Sequence, residues 1–336
     1  MTPRHPLQLT RRSALRGTAL TTAAAAAALL AGCGTGGGAN GSSSDSGGDS
    51  GTVTVTTARG EVTVPKNPEK VAVLDLAYVD TMTELGLKDR IVALPKQRVL
   101  KEQADQFADD AIVDTGGLKE PDFDSIAQAG PDLIIIAGRS AGLLDQLKEI
   151  TPNVIDLSVD NKDFLASFQQ QTKQLAAIFG KESEAEAKLA EITEQVKAVK
   201  EKASALPGTA GIFMVSGGKV TTYGPGSRFG GFLFGDLGFA PMVDSVKDAL
   251  HGDAVSFEFI AEHNPARAFI LDRDAAVGQE GEAAAAVLDN PLVQKTDAFS
   301  QQKTVDLNAP LWYIYGSGLS TVREMIAQAE SLAAKG

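Results

Sequence analysis

The sequence predicts an α/β fold: two similar α/β lobes joined by a long rigid helix, with a ligand cleft between the lobes. Three observations carry this. The segment Phe123 to Arg139 recurs without a gap as Phe257 to Arg273, at an offset of 134 residues. Strand and helix patterns alternate on both sides of the chain's middle. Between the two copies runs a charged helical stretch free of Gly and Pro. In the repeat Phe, an acid, Ile, Ala, Pro, Ile and Arg return in register. Each copy reads as a short helix, a Pro-marked turn and a buried strand that ends in Arg. Ligands of open α/β sheets bind outside the carboxyl ends of strands. Two facing lobes would therefore aim Arg139 and Arg273 into one cleft.

Residues 1–32 read as a signal peptide. Arg4, Arg11, Arg12 and Arg16 precede an Ala-rich apolar run, and the segment holds no acid. The run ends Leu30-Ala31-Gly32-Cys33, which resembles a bacterial lipobox, so Cys33 is the expected lipidation site. It is the one cysteine of the chain, which excludes disulfides and thiolate clusters. Arg11-Arg12 leaves twin-arginine and Sec export both open. Residues 33–51 are the lipidated Cys and a Gly/Ser/Asp tether too polar to fold.

The first lobe is assigned to residues 52–165. Val53 to Val64 alternates with period two around Arg59-Gly60 and predicts a hairpin. Strands follow at Lys70–Leu74, Ile91–Leu94, Gly130–Ala137 and Val154–Leu157, with a helix at Val79–Leu85. The connector, 166–206, carries two apolar stripes separated by Gly180. Its second helix, Lys181 to Ala205, should run about 30 Å at ~1.5 Å per residue. The second lobe is 207–336. It opens with a hairpin, Ile212–Val215 and Val220–Tyr223, and a glycine-rich turn, Gly224 to Gly230, that starts a helix through Leu237. The second repeat copy, a helix near Ala283–Leu288, a strand at Thr304–Leu307 and a last helix from Leu319 complete it.

Net charge is −12, and more acidic still without the four leader arginines. That argues against a nucleic-acid binder. His251 and His263 are the only histidines beyond the leader, too few for a multi-histidine metal site. No Gly-x-Ser-x-Gly elbow is present, and nothing reads as catalytic. Arg139, Arg228 and Arg273 have no obvious local partners, although Asp272 adjoins Arg273. Together they point to a polyanionic, oxygen-rich aromatic ligand, because guanidinium stays charged, donates paired hydrogen bonds and stacks on rings. Arg228 is expected at a helix N-terminus, where anions are favoured. His251, in a loop before a helix, and Tyr313, between a strand and the last helix, are either ligands for ferric iron or a loop hydrogen-bonder and a packed aromatic. Asp124 and Glu258 are equivalent first-turn acids, readable as dipole partners or as a two-point dock. Lys96 is a cleft-rim candidate by loop position, or a solvated surface lysine.

Leu94 to Gln97, Gly117 to Phe123, Pro131 to Ile135 with Arg139, Tyr223 to Phe229, His251-Gly252, Phe257-Glu258, Asp272-Arg273 and Trp312-Tyr313 resemble one family. It is that of the class III substrate-binding lipoproteins of iron-uptake ABC transporters, nearest those for ferric catecholate siderophores. The resemblance covers nearly all of the folded part. It implies a non-enzymatic, exported receptor, held to the cell membrane by its lipid. The receptor has no intrinsic cofactor, and Fe(III) arrives with the siderophore. It further implies that Arg139, Arg228 and Arg273 contact catecholate oxygens, that His251 and Tyr313 complete the iron shell of a four-donor ligand, and that Asp124 and Glu258 meet the permease dimer. The family often has Glu where Asp124 stands. A haem or cobalamin receptor of the same fold is the alternative, with an exported enzyme behind it; three Arg and two His argue against haem.

Overall fold

The computed structural model describes residues 51–336. The leader and Cys33 lie outside them. A hairpin comes first, β1 (Thr52–Thr57) and β2 (Gly60–Pro65), with Val53 opposite Val64. The first sheet holds β3 (Val71–Val73), β4 (Ile91–Leu94), β5 (Val113–Asp114), β6 (Leu133–Ile136) and β7 (Val154–Asp156). Its order is β5-β4-β3-β6-β7 and every pair is parallel. The second sheet holds β8 (Ala210–Ser216), β9 (Lys219–Thr222), β10 (Asp253–Val255), β11 (Arg267–Asp272) and β12 (Thr304–Asp306). Its order is β10-β9-β8-β11-β12. Here β8, β11 and β12 are parallel, and the β9 and β10 edge is antiparallel. Three neighbouring strands thus repeat between the sheets, β3-β6-β7 and β8-β11-β12. In both, chain order reverses beside the first of the three, which places a crevice at the strand ends.

Alternation explains the core. Side chains along a strand point to opposite faces. Val71, Val73, Leu133, Ile135, Ile212, Met214, Phe269 and Leu271 face one continuous core shared by both sheets and the long helices. The intervening Ala72, Ile134, Ile136, Phe213, Ala268 and Ile270 face two outer cores. Both faces being covered, the parallel strands read as unbroken apolar runs. The repeat helices seal the outer faces, Phe123–Ala129 with Ile126 and Phe257–His263 with Ile260, both fully buried. Each is seven residues long, N-capped by Asp122 or Ser256, and closed by a left-handed residue, Gly130 or Asn264.

Helices Phe164–Phe179 and Glu182–Ser204 join the sheets, with Gly180 closing the first. The second is 23 residues, roughly 34 Å at ~1.5 Å per residue. The last helix, Leu319–Ala333, packs on this spine and on the first-lobe helix Leu76–Glu84.

Three local expectations change. The first helix starts at Leu76, not Val79, because the Asp75 carboxylate accepts the Ala77 N–H as its N-cap. The helix expected after Gly230 is a six-residue π-turn, Gly231–Asp236, in which Leu237 N–H reaches the Phe232 carbonyl at 2.8 Å. Between His251 and the helix at Phe257 lies β10, paired to β9 through Asp253 and Thr222.

Candidate functional site

Three guanidinium groups surround one aromatic ring. Arg139 follows β6, and Arg273 opens the four-residue helix after β11, which Asp272 caps. Arg228 stands just before the π-turn. A Cβ on Gly230 would lie 1.9 Å from the Gly224 carbonyl oxygen, so only glycine lets this turn fold back on itself. Tyr313 sits in a second π-turn, Leu311–Tyr315, after β12. The guanidinium carbons lie 5.4 Å (Arg139), 4.1 Å (Arg228) and 5.9 Å (Arg273) from the Tyr313 ring centroid, within cation–π range. Arg228 donates to the Tyr313 carbonyl at 2.6 Å. Arg139 donates to the same oxygen and to the Ile314 carbonyl.

The electrostatics follow from that crowding. Burial, then the Arg139 charge, draws Arg228 below the usual guanidinium value. Burial would raise the Tyr313 phenol, but a hydrogen bond from Arg273 and the Arg228 charge outweigh it and hold Tyr313 below 10.0. Arg273 is shifted upward by the same Tyr313 hydrogen bond and by Asp274. Half-buried Tyr313 divides two cavities. One, about 590 Å³, is lined by Asp75, Lys119, Arg139, Arg228, His251 and the Trp312–Phe229–Phe232 wall. The other, about 600 Å³, is lined by Arg98, Lys119, Glu120, Arg139, Arg273 and Gln279. Both are cationic hollows that share the Tyr313 ring, and the first adds an aromatic wall, features suited to a planar polyanion.

The periplasmic binding protein family model matches residues 71–311, the stretch that contains both sheets. The chain belongs to that family. It is similar to the petrobactin-binding protein YclQ of Bacillus subtilis, 37% identical over 79% of this chain and 82% of the relative. The crystal structure of YclQ superposes with a TM-score of 0.80, covering 84% of this chain and 99% of the other. The ferric-anguibactin-binding protein FatB of Vibrio anguillarum is 28% identical over 80% of this chain and 83% of its own. The catecholate-siderophore binding protein VctP of Vibrio cholerae is 30% identical, with a TM-score of 0.77 over 84% of this chain and 100% of the other. The protein is a substrate-binding protein and not an enzyme.

In this binding protein His251 lies at the rim of the first cavity. Its side chain is 71% exposed, and Nδ1 lies 2.9 Å from Asp248 Oδ2. The carboxylate accepts the Nδ1 proton, which leaves Nε2 free to face a ligand. The backbone N–H of His251, then its ring, holds the Asp248 carboxyl below the usual range. Asp124 and Glu258 are exposed on the first turns of their helices. A shallow groove of about 510 Å³ opens beside Asp124, against Phe123, Pro131 and Glu149.

Three readings change. Lys96 does not reach the arginine cluster: its ammonium donates to the Asp109 carbonyl at 2.7 Å, and its own N–H is held by Asp114. The cationic places at the cleft belong to Lys119 and Arg98, and Arg98 donates across the lobes to the Val277 carbonyl at 2.8 Å. Arg273 has local partners after all, Asp274 at 3.3 Å and Gln279 at 2.6 Å, while Asp272 is taken up capping its helix. Arg228 precedes a single π-turn, so a long helix dipole does not act there. Lys119 stands in the Gly117–Phe123 segment already singled out. Asp75 was readable as a capping Asp before an apolar helix.

Proposed function

We propose that this protein is an exported receptor that binds a ferric catecholate siderophore and delivers it to an ABC importer. One observation carries the reading: three arginines and one tyrosine converge between two cavities of similar size. Catechol oxygens are planar, paired and anionic, and guanidinium matches that geometry. The ligands for which YclQ and VctP are named, petrobactin and a catecholate siderophore, support the same chemistry. Arg139, Arg228 and Arg273 are the proposed oxygen contacts, with His251 Nε2 and the Tyr313 phenolate as iron donors when the ligand supplies four. Cys33 is the proposed lipid anchor, and Asp124 and Glu258 the proposed contacts to the permease dimer.

Trp312, the chain's single tryptophan, lines the first cavity and reports binding. Titration with ferric catecholate should quench it. Each single Arg→Ala change should weaken binding by roughly tenfold or more, since a charge-assisted hydrogen bond contributes on the order of 1.5–3 kcal/mol. Affinity unchanged in all three variants would move the ligand elsewhere. Separately, Cys33→Ala should release the protein from the membrane fraction or leave it unprocessed. Unaltered fractionation would remove the anchor.

A further inference from the structure

Among the residues lining the cavity on the Trp312 side, Asp75 alone is acidic. It stands at the carboxyl end of β3, beside β6, at the point where chain order reverses in the first sheet. Its residue is 7% exposed, and Oδ1 accepts the Ala77 N–H at 3.0 Å, the one hydrogen bond shown to it among the described residues. Burial pushes the Asp75 carboxyl above its usual value, and Arg139 and Arg228 are near enough to oppose that. Their hydrogen bonds nevertheless go to the Tyr313 and Ile314 carbonyls, and neither forms an ion pair with it.

The second lobe shows a carboxylate at a strand-end crevice with its needs met. Asp274 accepts from Ser216 Oγ at 3.0 Å, from the Gly217 N–H at 2.6 Å and from Arg273 at 3.3 Å. Asp75 has one donor where Asp274 has three. Asp75 lines the cavity with one oxygen that has no protein donor, and beside an anionic ligand that carboxylate is repulsive unless the ligand brings a donor of its own.

We infer that Asp75 is a specificity-determining residue: its free oxygen receives a protonated amine on the backbone linking the ligand's catechols. This rests on the catecholate reading. The arginines hold the anionic ends, and the carboxylate selects ligands whose linker is cationic. The rival role, a counter-ion that merely offsets Arg139 and Arg228, predicts the opposite sign, because its removal would then tighten every catecholate alike.

The test uses the ferric complexes of two synthetic bis-catechol amides of equal linker length, one with a secondary amine in the linker and one with a methylene in its place. Trp312 fluorescence gives Kd for each against the parent and Asp75→Asn. Asn caps a helix as well as Asp does, so the helix Leu76–Glu84 keeps its start; Asp75→Ser is the second variant should Asn misfold. The parent should favour the amine-linked complex by roughly tenfold, the scale of one charge-assisted hydrogen bond, and the variant should lose that preference. Equal binding of both complexes by the parent, or a preference that survives in both variants, overturns the role of Asp75. Equal tightening of both complexes in Asp75→Asn assigns it to charge balance and overturns the inference too. If the parent binds neither complex, the catecholate reading itself fails.

Discussion

Tyr313 differs from every other phenol of the chain. Burial raises Tyr78 well above 10.0 and pushes Tyr223 and Tyr315 up to about 12. Tyr313 is only half-buried, and there the Arg273 hydrogen bond and the Arg228 charge outweigh burial and hold it lower. These are all four tyrosines. A spectrophotometric titration should therefore show one phenol ionising below 10 and three above it. Tyr313→Phe should delete the early step, and Arg273→Ala should move it upward. Four coincident ionisations would contradict the arrangement. The linked stability has a definite sign. The folded value lies below the unfolded one, so ionised Tyr313 adds stability as pH rises from the folded value towards 10. That contribution is lost as pH falls back through the folded value. Local pattern marked Tyr313 and the arginines as candidates, but their meeting at one ring joins Tyr313 to Arg228 and Arg139, 85 and 174 positions away, as well as to Arg273. The same distance effect removed Lys96, whose nearest acceptor, the Asp109 carbonyl, lies in its own lobe.

The last helix begins on an acceptor borrowed from the first lobe. Asp80, 4% exposed, takes the N–H groups of Ser320 at 2.9 Å and Thr321 at 3.1 Å and the Ser320 hydroxyl. Its own neighbour Thr81 accepts the Leu319 N–H. The N-cap residue Gly318 has no side chain to accept the first N–H groups, and the group that does so lies 240 residues earlier. Asp80→Ala should lower unfolding stability by about 1–2 kcal/mol, the scale of a lost cap, measured by urea titration. Gly318→Ala should destabilise as well, because its Cβ would lie 2.1 Å from Asp80 Oδ2. Unchanged midpoints in both would mean that the helix is held by its apolar face alone. The repeat helices behave differently. Asp122 and Ser256 cap them from within three residues, so the short helix of each repeat copy rests on local signals.

At the scale of the molecule, one core runs through both sheets, the spine and the last helix. The outer faces carry the repeat helices with Asp124 and Glu258 exposed and remote from the Tyr313 cavities, whose linings include neither. Ligand binding and the proposed docking should therefore separate. Asp124→Lys and Glu258→Lys should leave ferric catecholate affinity within about twofold, as surface substitutions change little, while iron uptake in cells falls. Loss of affinity in these variants, or full uptake with both reversed, would refute the dock.

The α/β class, the 134-residue repeat, the spine helix and the strand-end arginines all rest on periods and caps that act within a few residues, so they were readable in the chain. Cation placement around the cleft was not. Whether a lysine reaches a ligand, an arginine finds a carboxylate, or Asp75 is left with a single donor depends on which loops meet after two sheets pack on one spine. Contacts of that kind join residues far apart in the chain, and hydrogen bonds and charges act only over the few ångströms that packing sets.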